Sequence, residues 1–188
     1  DARVFLISGF TAMQSEELLT ARLESLTKMM EKLSKDTLVF YEDGGFYDPD
    51  FSKLIFRTLS EKISIVSLNE EELQSHIGRS LDVLDEIQVK DALADLQELI
   101  PVPIIVVHSM YWALGYGENA RSYSTALKGG VTMATTRFCF GDEFTVENYE
   151  EVGRLSPNRE GANFADGIEK LLANNVRCLP VPHVEQAN

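Results

Sequence analysis

The chain alternates between short apolar runs and longer segments whose apolar residues recur at helical spacing. Five apolar runs predict β-strands. They lie at residues 4–8, 37–41, 63–68, 104–107 and 176–181. Between the first two, Leu19, Leu23, Leu26, Met30 and Leu33 form the single apolar face of an amphipathic helix. This alternation predicts an α/β fold with a mostly parallel sheet and helices on both of its faces.

Other elements follow from local signals. Asp48 and Pro49 predict the start of a helix, with Asp as cap and Pro at the first helical position. Residues 111–117, rich in aromatic residues and Gly, predict a loop that leads to a short helix ending at Gly129–Gly130. Partial alternation over residues 131–138 predicts a sixth strand. Helices are predicted at 145–152 and 163–172.

The segment after the central apolar run has two interpretations. Asn69 follows residues 63–68 and is itself followed by Glu70, Glu71 and Glu72. Asn is a good helix N-cap, and acidic residues in a first turn complement the helix dipole. However, ligands of open α/β sheets bind at the carboxyl ends of core strands. The segment is therefore either an ordinary helix start or part of a binding site.

Composition narrows the class of protein. The 188 residues are 44% hydrophobic and 25% charged, which fits one globular domain spanning residues 1–188. A net charge of −13 disfavours nucleic acid and anionic membranes as partners. Cys139 and Cys178 are isolated, which favours a reducing cytoplasmic location. Zinc-ligand spacing, a P-loop, a G-x-G-x-x-G fingerprint and a G-x-S-x-G elbow do not occur in the sequence.

Four polar segments follow predicted strands, and we expect them to converge at one edge of the sheet. They are 42–45, 69–72, 108–117 and 136–137. Carboxylates suit hydrated Mg²⁺, and Arg137 suits a phosphate group. An aromatic ring of Tyr111 or Trp112 would suit a nucleotide base. The combination indicates Mg-nucleotide chemistry.

Each of these residues also has a structural interpretation. His108 would be a hydrogen-bonded histidine at the end of a strand, and Tyr111 and Trp112 would anchor a loop to the core. Arg137 would form a surface ion pair with Asp142 or Glu143. Glu42 and Asp43 would be a solvated pair in a loop.

Four segments, in the same order, resemble the ADP-dependent glucokinase and phosphofructokinase family, which belongs to the ribokinase superfamily. They are Phe5–Gln14, Leu68–Leu73, Val107–Gly115 and Ala126–Arg137. The resemblance implies a three-layer α/β/α, ribokinase-like fold. It also implies phosphoryl transfer from ADP, or ATP, to a sugar or sugar phosphate, with Mg²⁺ as cofactor.

The resemblance further implies roles for individual residues. The N-x-x-E motif that helps hold Mg²⁺ through water falls on Asn69 and Glu72. The Glu of the H-x-E motif falls on Glu42, but Phe40 occupies the position of its His. His108, Thr136 and Arg137 are expected on the nucleotide side.

The family's lid segments and its Gly-Leu-Gly-Asp motif, which carries the catalytic base, have no counterpart in residues 1–188. We therefore expect a partial domain cut from a longer kinase and no sugar-kinase activity from these residues alone. A non-catalytic nucleotide-binding or regulatory protein of the same fold is the alternative function.

Overall fold

A computed structural model describes residues 2–45 and 48–184. The ends of the predicted domain, residue 1 and residues 185–188, lie outside the described part. The described residues form a six-stranded sheet in which every strand pairs with the strand before it in the chain. The strands are β1 (Val4–Ile7), β2 (Leu38–Glu42), β3 (Ile65–Asn69), β4 (Ile104–His108), β5 (Trp112–Gly117) and β6 (Val176–Pro180). The first four run parallel, and β5 is antiparallel to both β4 and β6.

Seven α-helices accompany the described strands. They are α1 (Glu16–Met30), α2 (Pro49–Leu59), α3 (Glu70–Ile77), α4 (Glu86–Leu99), α5 (Ser124–Phe140), α6 (Val146–Val152) and α7 (Arg159–Leu172). Short 3₁₀ turns lie at residues 10–12, 60–62, 120–123 and 173–175. None of the described helices is long and apolar enough to cross a membrane.

Helices cover both faces of the sheet. The ring of Trp112 in β5 stacks on Phe164 of α7, with 4.7 Å between centroids. Gly115, three residues further along β5, lies against Leu127 of α5. Residues an odd number apart in a strand face opposite sides, so α7 and α5 lie on opposite faces of the sheet. Since α4 contacts both α3 and α7, the structure confirms the three-layer α/β/α fold class.

The main core lies between the sheet and helices α1–α4 and α7. Its wholly buried residues include Leu19 of α1, Ile55 of α2, Leu68 of β3, Leu93 of α4 and Ile105 of β4. Burial of each such side chain contributes about 1.5–3 kcal/mol. The acidic segment after β3 is therefore attached directly to the main core.

The opposite face is covered less completely. In the described residues, α5 contacts β5 and β6, while β1 presents Val4 and Leu6 with 55% and 62% of their surface exposed. Ile7, on the other side of the same strand, is 4% exposed. The apolar run that predicts β1 is thus buried on one side only.

Two predictions between residues 111 and 138 are wrong. Residues 112–117 form strand β5 rather than a loop, and the predicted strand at 131–138 is the second half of α5. The helix runs through Gly129–Gly130 without ending there. The hydroxyls of Thr132, Thr135 and Thr136 donate to carbonyls four residues earlier, at distances of 2.7–2.9 Å. These bonds let β-branched threonines fit within a helix.

The remaining element predictions are confirmed, with shifts of a few residues at their ends. The hydroxyl of Ser15 caps α1 by accepting from the Leu18 amide at 3.3 Å. Asp48 caps α2 by accepting from the Asp50 amide at 2.9 Å. Asn69 caps α3, and α6 and α7 match the helices predicted at 145–152 and 163–172.

Candidate functional site

Three neighbouring parallel strands bring predicted site residues to one edge of the sheet. Glu42 ends β2, Asn69 ends β3 and His108 ends β4. The strand register places Asn69 opposite His108 and Glu42 opposite Ser67. Glu72 lies in the first turn of α3, directly after β3. The structure therefore brings together four of the six predicted site residues.

Asn69 and Glu72 form a capping box at the start of α3. The Asn69 side-chain oxygen accepts from the amides of Glu71 and Glu72, both at 2.9 Å. In return, the Glu72 carboxylate accepts from the Asn69 amide at 2.8 Å. The helix-cap interpretation of this segment is confirmed. The cap hydrogen bonds occupy the side-chain oxygen of Asn69 but only one of the two carboxylate oxygens of Glu72. The second carboxylate oxygen of Glu72 is therefore more available to a ligand than the Asn69 oxygen.

Negative charge is concentrated around Glu72. Burial is the largest cause that raises the pKa of its carboxyl, and the carboxylates of Asp43 and Glu42 raise it further. The Asn69 amide and His108 act in the opposite direction and lower it. Two neighbouring carboxylates thus oppose the ionisation of Glu72, and a cation placed among the three would offset this repulsion.

His108 is the basic side chain next to these carboxylates. Its Nε2 lies 3.9 Å from Oε1 of Glu42, a distance typical of an ion pair rather than of a direct hydrogen bond. Interaction with the Glu42 carboxylate is the main cause that raises the pKa of His108; burial opposes it, and Glu72 and Glu70 add to it. The side chain is 46% exposed, so a ligand at this edge can reach the ring.

Sequence reasoning missed a second histidine. His76 of α3 has its Nε2 2.6 Å from Oδ2 of Asp43, whose side chain is only 1% exposed. The prediction that Glu42 and Asp43 form a solvated loop pair is therefore wrong for Asp43. One signal in the sequence points to His76: it follows Glu72 by four residues and so lies on the same side of α3.

Thr136 and Arg137 lie within α5 rather than directly after a strand. Thr136 is completely buried, and its hydroxyl donates to the Thr132 carbonyl at 2.7 Å. The Arg137 side chain is 60% exposed, and its Nε donates to Asp142 at 2.9 Å. The surface ion-pair interpretation of Arg137 is confirmed. The expectation that residues 136–137 directly follow a strand is wrong, because the segment predicted as that strand belongs to α5.

Trp112 is a structural residue. It is wholly buried, stacks on Phe164, and donates its Nε1–H to the Val83 carbonyl at 2.8 Å. Tyr111 is half-buried against the core. The interpretation of Trp112 as an anchor is confirmed, and its expected contact with a nucleotide base is excluded by its burial.

The carboxylates of Glu42 and Glu72 fit a cation held through its water shell better than a cation bound directly by the protein. Within residues 2–45 and 48–184, no three acidic, His or Cys side chains converge at the spacing of a direct metal site. Mg²⁺ usually keeps several of its waters and needs only one or two carboxylates from the protein. Glu42 and Glu72, both partly accessible and mutually repelling, fit a hydrated ion held through its water shell.

Comparison with known proteins shows which solved structures share this fold. No protein-family model and no curated protein sequence matches the chain. Solved structures do. An ADP-dependent kinase in complex with fructose-6-phosphate and ADPβS superposes with a TM-score of 0.79 at 14% identity, over 99% of this chain and 50% of the other.

Two further structures agree. The last common ancestor of ADP-dependent phosphofructokinases from Methanosarcinales gives a TM-score of 0.76 at 14% identity, over 98% of this chain and 46% of the other. A hypothetical ADP-dependent phosphofructokinase from Pyrococcus horikoshii OT3 gives 0.72 at 19% identity, with the same shares of the two chains. The chain has the fold of these ADP-dependent kinases and spans about half of their length. At the level of fold, the resemblance seen in the sequence is confirmed.

Proposed function

We propose that this chain carries the magnesium and nucleotide part of an ADP-dependent sugar kinase. Such an enzyme transfers a phosphoryl group from ADP, or ATP, to a hydroxyl of a sugar or sugar phosphate. The observation that supports the proposal best is the convergence of Glu42, Glu72 and His108 at the ends of three parallel strands. This edge is where open α/β sheets bind ligands.

Each residue of the cluster has a distinct proposed role. Glu42 and Glu72 would hold hydrated Mg²⁺ through its waters, and Asn69 would fix Glu72 through the capping box. The bound ion would neutralise negative charge on the phosphate groups of the nucleotide. His108, which Glu42 favours in its charged form, would donate a hydrogen bond to a phosphate oxygen. Catalysis would rest on orientation and charge rather than on a covalent intermediate with the protein.

The two predicted site residues in α5, Arg137 and Thr136, would have different roles. Arg137 would bind phosphate by exchanging Asp142 for it, and an exposed ion pair of this kind contributes only about 0–1 kcal/mol. Thr136 has no direct contact in the proposal, because its hydroxyl is buried and already bonded within the helix.

Calorimetric titration of the chain with Mg-ADP tests the proposal. Glu42→Gln and Glu72→Gln should each weaken binding by about tenfold, because they remove charge that holds the hydrated ion. Glu71→Gln is the matched control, since Glu71 lies in the same helical turn but is exposed and outside the cluster. Equal affinity in all four proteins would contradict the proposed site.

A non-catalytic nucleotide-binding protein is the second candidate. It is favoured by Phe40, which replaces the His of the H-x-E motif. This candidate predicts that ADP binds equally well with and without Mg²⁺, whereas the kinase proposal predicts Mg-dependent binding. Residues 1–188 contain no Gly-Leu-Gly-Asp sequence, so for them we expect binding without turnover of hexoses or hexose phosphates.

A further inference from the structure

Asp43 and His76 form a largely buried pair next to Glu42 and Glu72: Asp43 follows Glu42 in the chain, and His76 follows Glu72 by one helical turn. Oδ2 of Asp43 is 2.6 Å from Nε2 of His76, and Oδ1 is 3.4 Å from the hydroxyl of Tyr41. A carboxylate as buried as that of Asp43 costs several kcal/mol unless it is hydrogen-bonded. The pair is therefore a fixed contact rather than a chance meeting of surface side chains.

The pair joins the two elements that carry Glu42 and Glu72. Asp43 follows Glu42, and its amide donates to the Ser67 carbonyl at 2.8 Å, which continues the pairing of β2 with β3. His76 lies one helical turn after Glu72, on the same side of α3. One hydrogen bond thus connects the end of β2 to the second turn of α3.

Aromatic packing holds the pair in place. The ring of Phe56 in α2 meets Tyr41 edge-on at 5.3 Å and His76 edge-on at 5.7 Å. Tyr41 is 1% exposed, and burial, followed by the Asp43 carboxylate, raises the pKa of its phenol well above the usual value. The Tyr41 hydroxyl therefore stays protonated and can donate to Asp43.

Helix α3 needs such a contact. It has eight residues, too few to be stable without packing. The capping box fixes its first turn to the end of β3, and Leu73 packs into the core. The bond from His76 to Asp43 fixes its second turn relative to β2. This second attachment links α3 directly to β2, the strand that carries Glu42, in addition to the pairing of β2 with β3.

We propose that Asp43 and His76 are positioning residues that set the separation of Glu42 and Glu72, and with it the affinity of the cation that those two carboxylates hold. The inference rests on the proposed function, since it assumes that a cation binds there. It adds that the affinity for the cation depends on the hydrogen bond between Asp43 and His76, two residues that do not themselves bind the ion.

Binding of Mn²⁺, measured by electron paramagnetic resonance on the 188-residue chain, tests the inference. His76→Leu removes the donor and should weaken Mn²⁺ binding by about tenfold, as loss of an outer contact to a metal ligand typically does. His76→Gln, whose side-chain amide can still donate to Asp43, should keep the affinity within about threefold of the original. Rescue by Gln would not follow from a role in core packing alone.

Two further variants make the test specific. Asp43→Leu combined with His76→Leu leaves no unpaired buried charge, so it should fold even if His76→Leu does not. It should still lose the affinity. Arg177→Leu is the matched control, because it breaks a partly buried ion pair of 2.8 Å with Glu169 outside the cluster. It should leave Mn²⁺ binding unchanged.

The possible results separate the two proposals. If Glu42→Gln and Glu72→Gln weaken Mn²⁺ binding but the folded His76→Leu or double-Leu variant binds like the original, the positioning inference is wrong and the proposed site stands. If Glu42→Gln and Glu72→Gln have no effect, or Mn²⁺ does not bind, the proposed metal site is wrong and the inference fails with it.

Discussion

At the scale of single residues, the imidazole near Glu42 does not come from the position that the H-x-E motif would give it. The H-x-E motif would place a His two residues before it, on the same face of β2, but Phe40 stands there and packs with Ile65 and Ile104. His108 approaches Glu42 from β4 instead. Strand β4, which is separated from β2 by β3, thus supplies an imidazole to the carboxylate.

The Glu42–His108 contact predicts a measurable titration. In the metal-free chain, NMR should give His108 a pKa above 6.5, and Glu42→Gln should lower it, because Glu42 is the main cause of the shift. The imidazolium is favoured in the folded state. Its contribution to stability is therefore complete below pH 6.5 and is lost as pH rises through the folded pKa.

Glu71→Gln provides the control for this titration. It should leave the pKa of His108 unchanged, since Glu71 is not among the carboxylates that raise it. A His108 pKa that stays the same when Glu42→Gln is introduced would contradict the observed geometry.

At the scale of elements, the start of α3 and the proposed ligand site share the same atoms. The cap of α7 has similar geometry without a proposed site: the Asn158 side chain accepts from Glu160 and Gly161 at 3.0 and 3.1 Å. The two helices therefore allow the capping role of Asn69 to be separated from its proposed role in holding Glu72.

Asn69→Ala and Asn158→Ala should each lower the free energy of unfolding by about 1 kcal/mol, the usual cost of losing such a cap. Denaturant titration measures this loss. Only Asn69→Ala should also weaken Mn²⁺ binding, because it releases Glu72 from the capping box. If both variants lose stability equally and neither changes Mn²⁺ binding, Asn69 is a cap and nothing more.

The same elements show what could be predicted from the sequence. Helix α3 and its cap were predictable because Asn69 and the three glutamates are a local signal. Helix α5 was not, because its glycines and threonines have low helix propensity, and its packing on the sheet, where Leu127 lies against Gly115, stabilises it instead. The Asp43–His76 pair escaped prediction because it joins residues 33 positions apart.

At the scale of the whole molecule, the sheet is buried on one side along its full width. On the other side it is buried mainly from β3 to β6, where Ile65 and Ile104 form a second, smaller core and α5 contacts β5 and β6. Parallel sheets normally have both faces covered. The difference is greatest at β1, where Leu6 is exposed and the next residue, Ile7, is buried.

This asymmetry predicts different costs for two neighbouring substitutions. Ile7→Ala should lower the free energy of unfolding by about 2–5 kcal/mol, because it leaves a cavity in the main core. Leu6→Ala should change it by less than about 0.5 kcal/mol, as expected for an exposed position. Urea titration of the 188-residue chain measures both. A comparable loss for Leu6→Ala would mean that this face is covered in solution.

The strictly sequential strand order has a consequence for how the protein is made. Each of β2 to β5 pairs with the strand that was synthesised just before it, so the sheet can grow strand by strand as the chain leaves the ribosome. Only β6 must wait, because residues 118–175 separate it from β5. The edge that carries Glu42, Asn69 and His108 is complete by residue 108. It can therefore take its final shape before the last third of the chain exists.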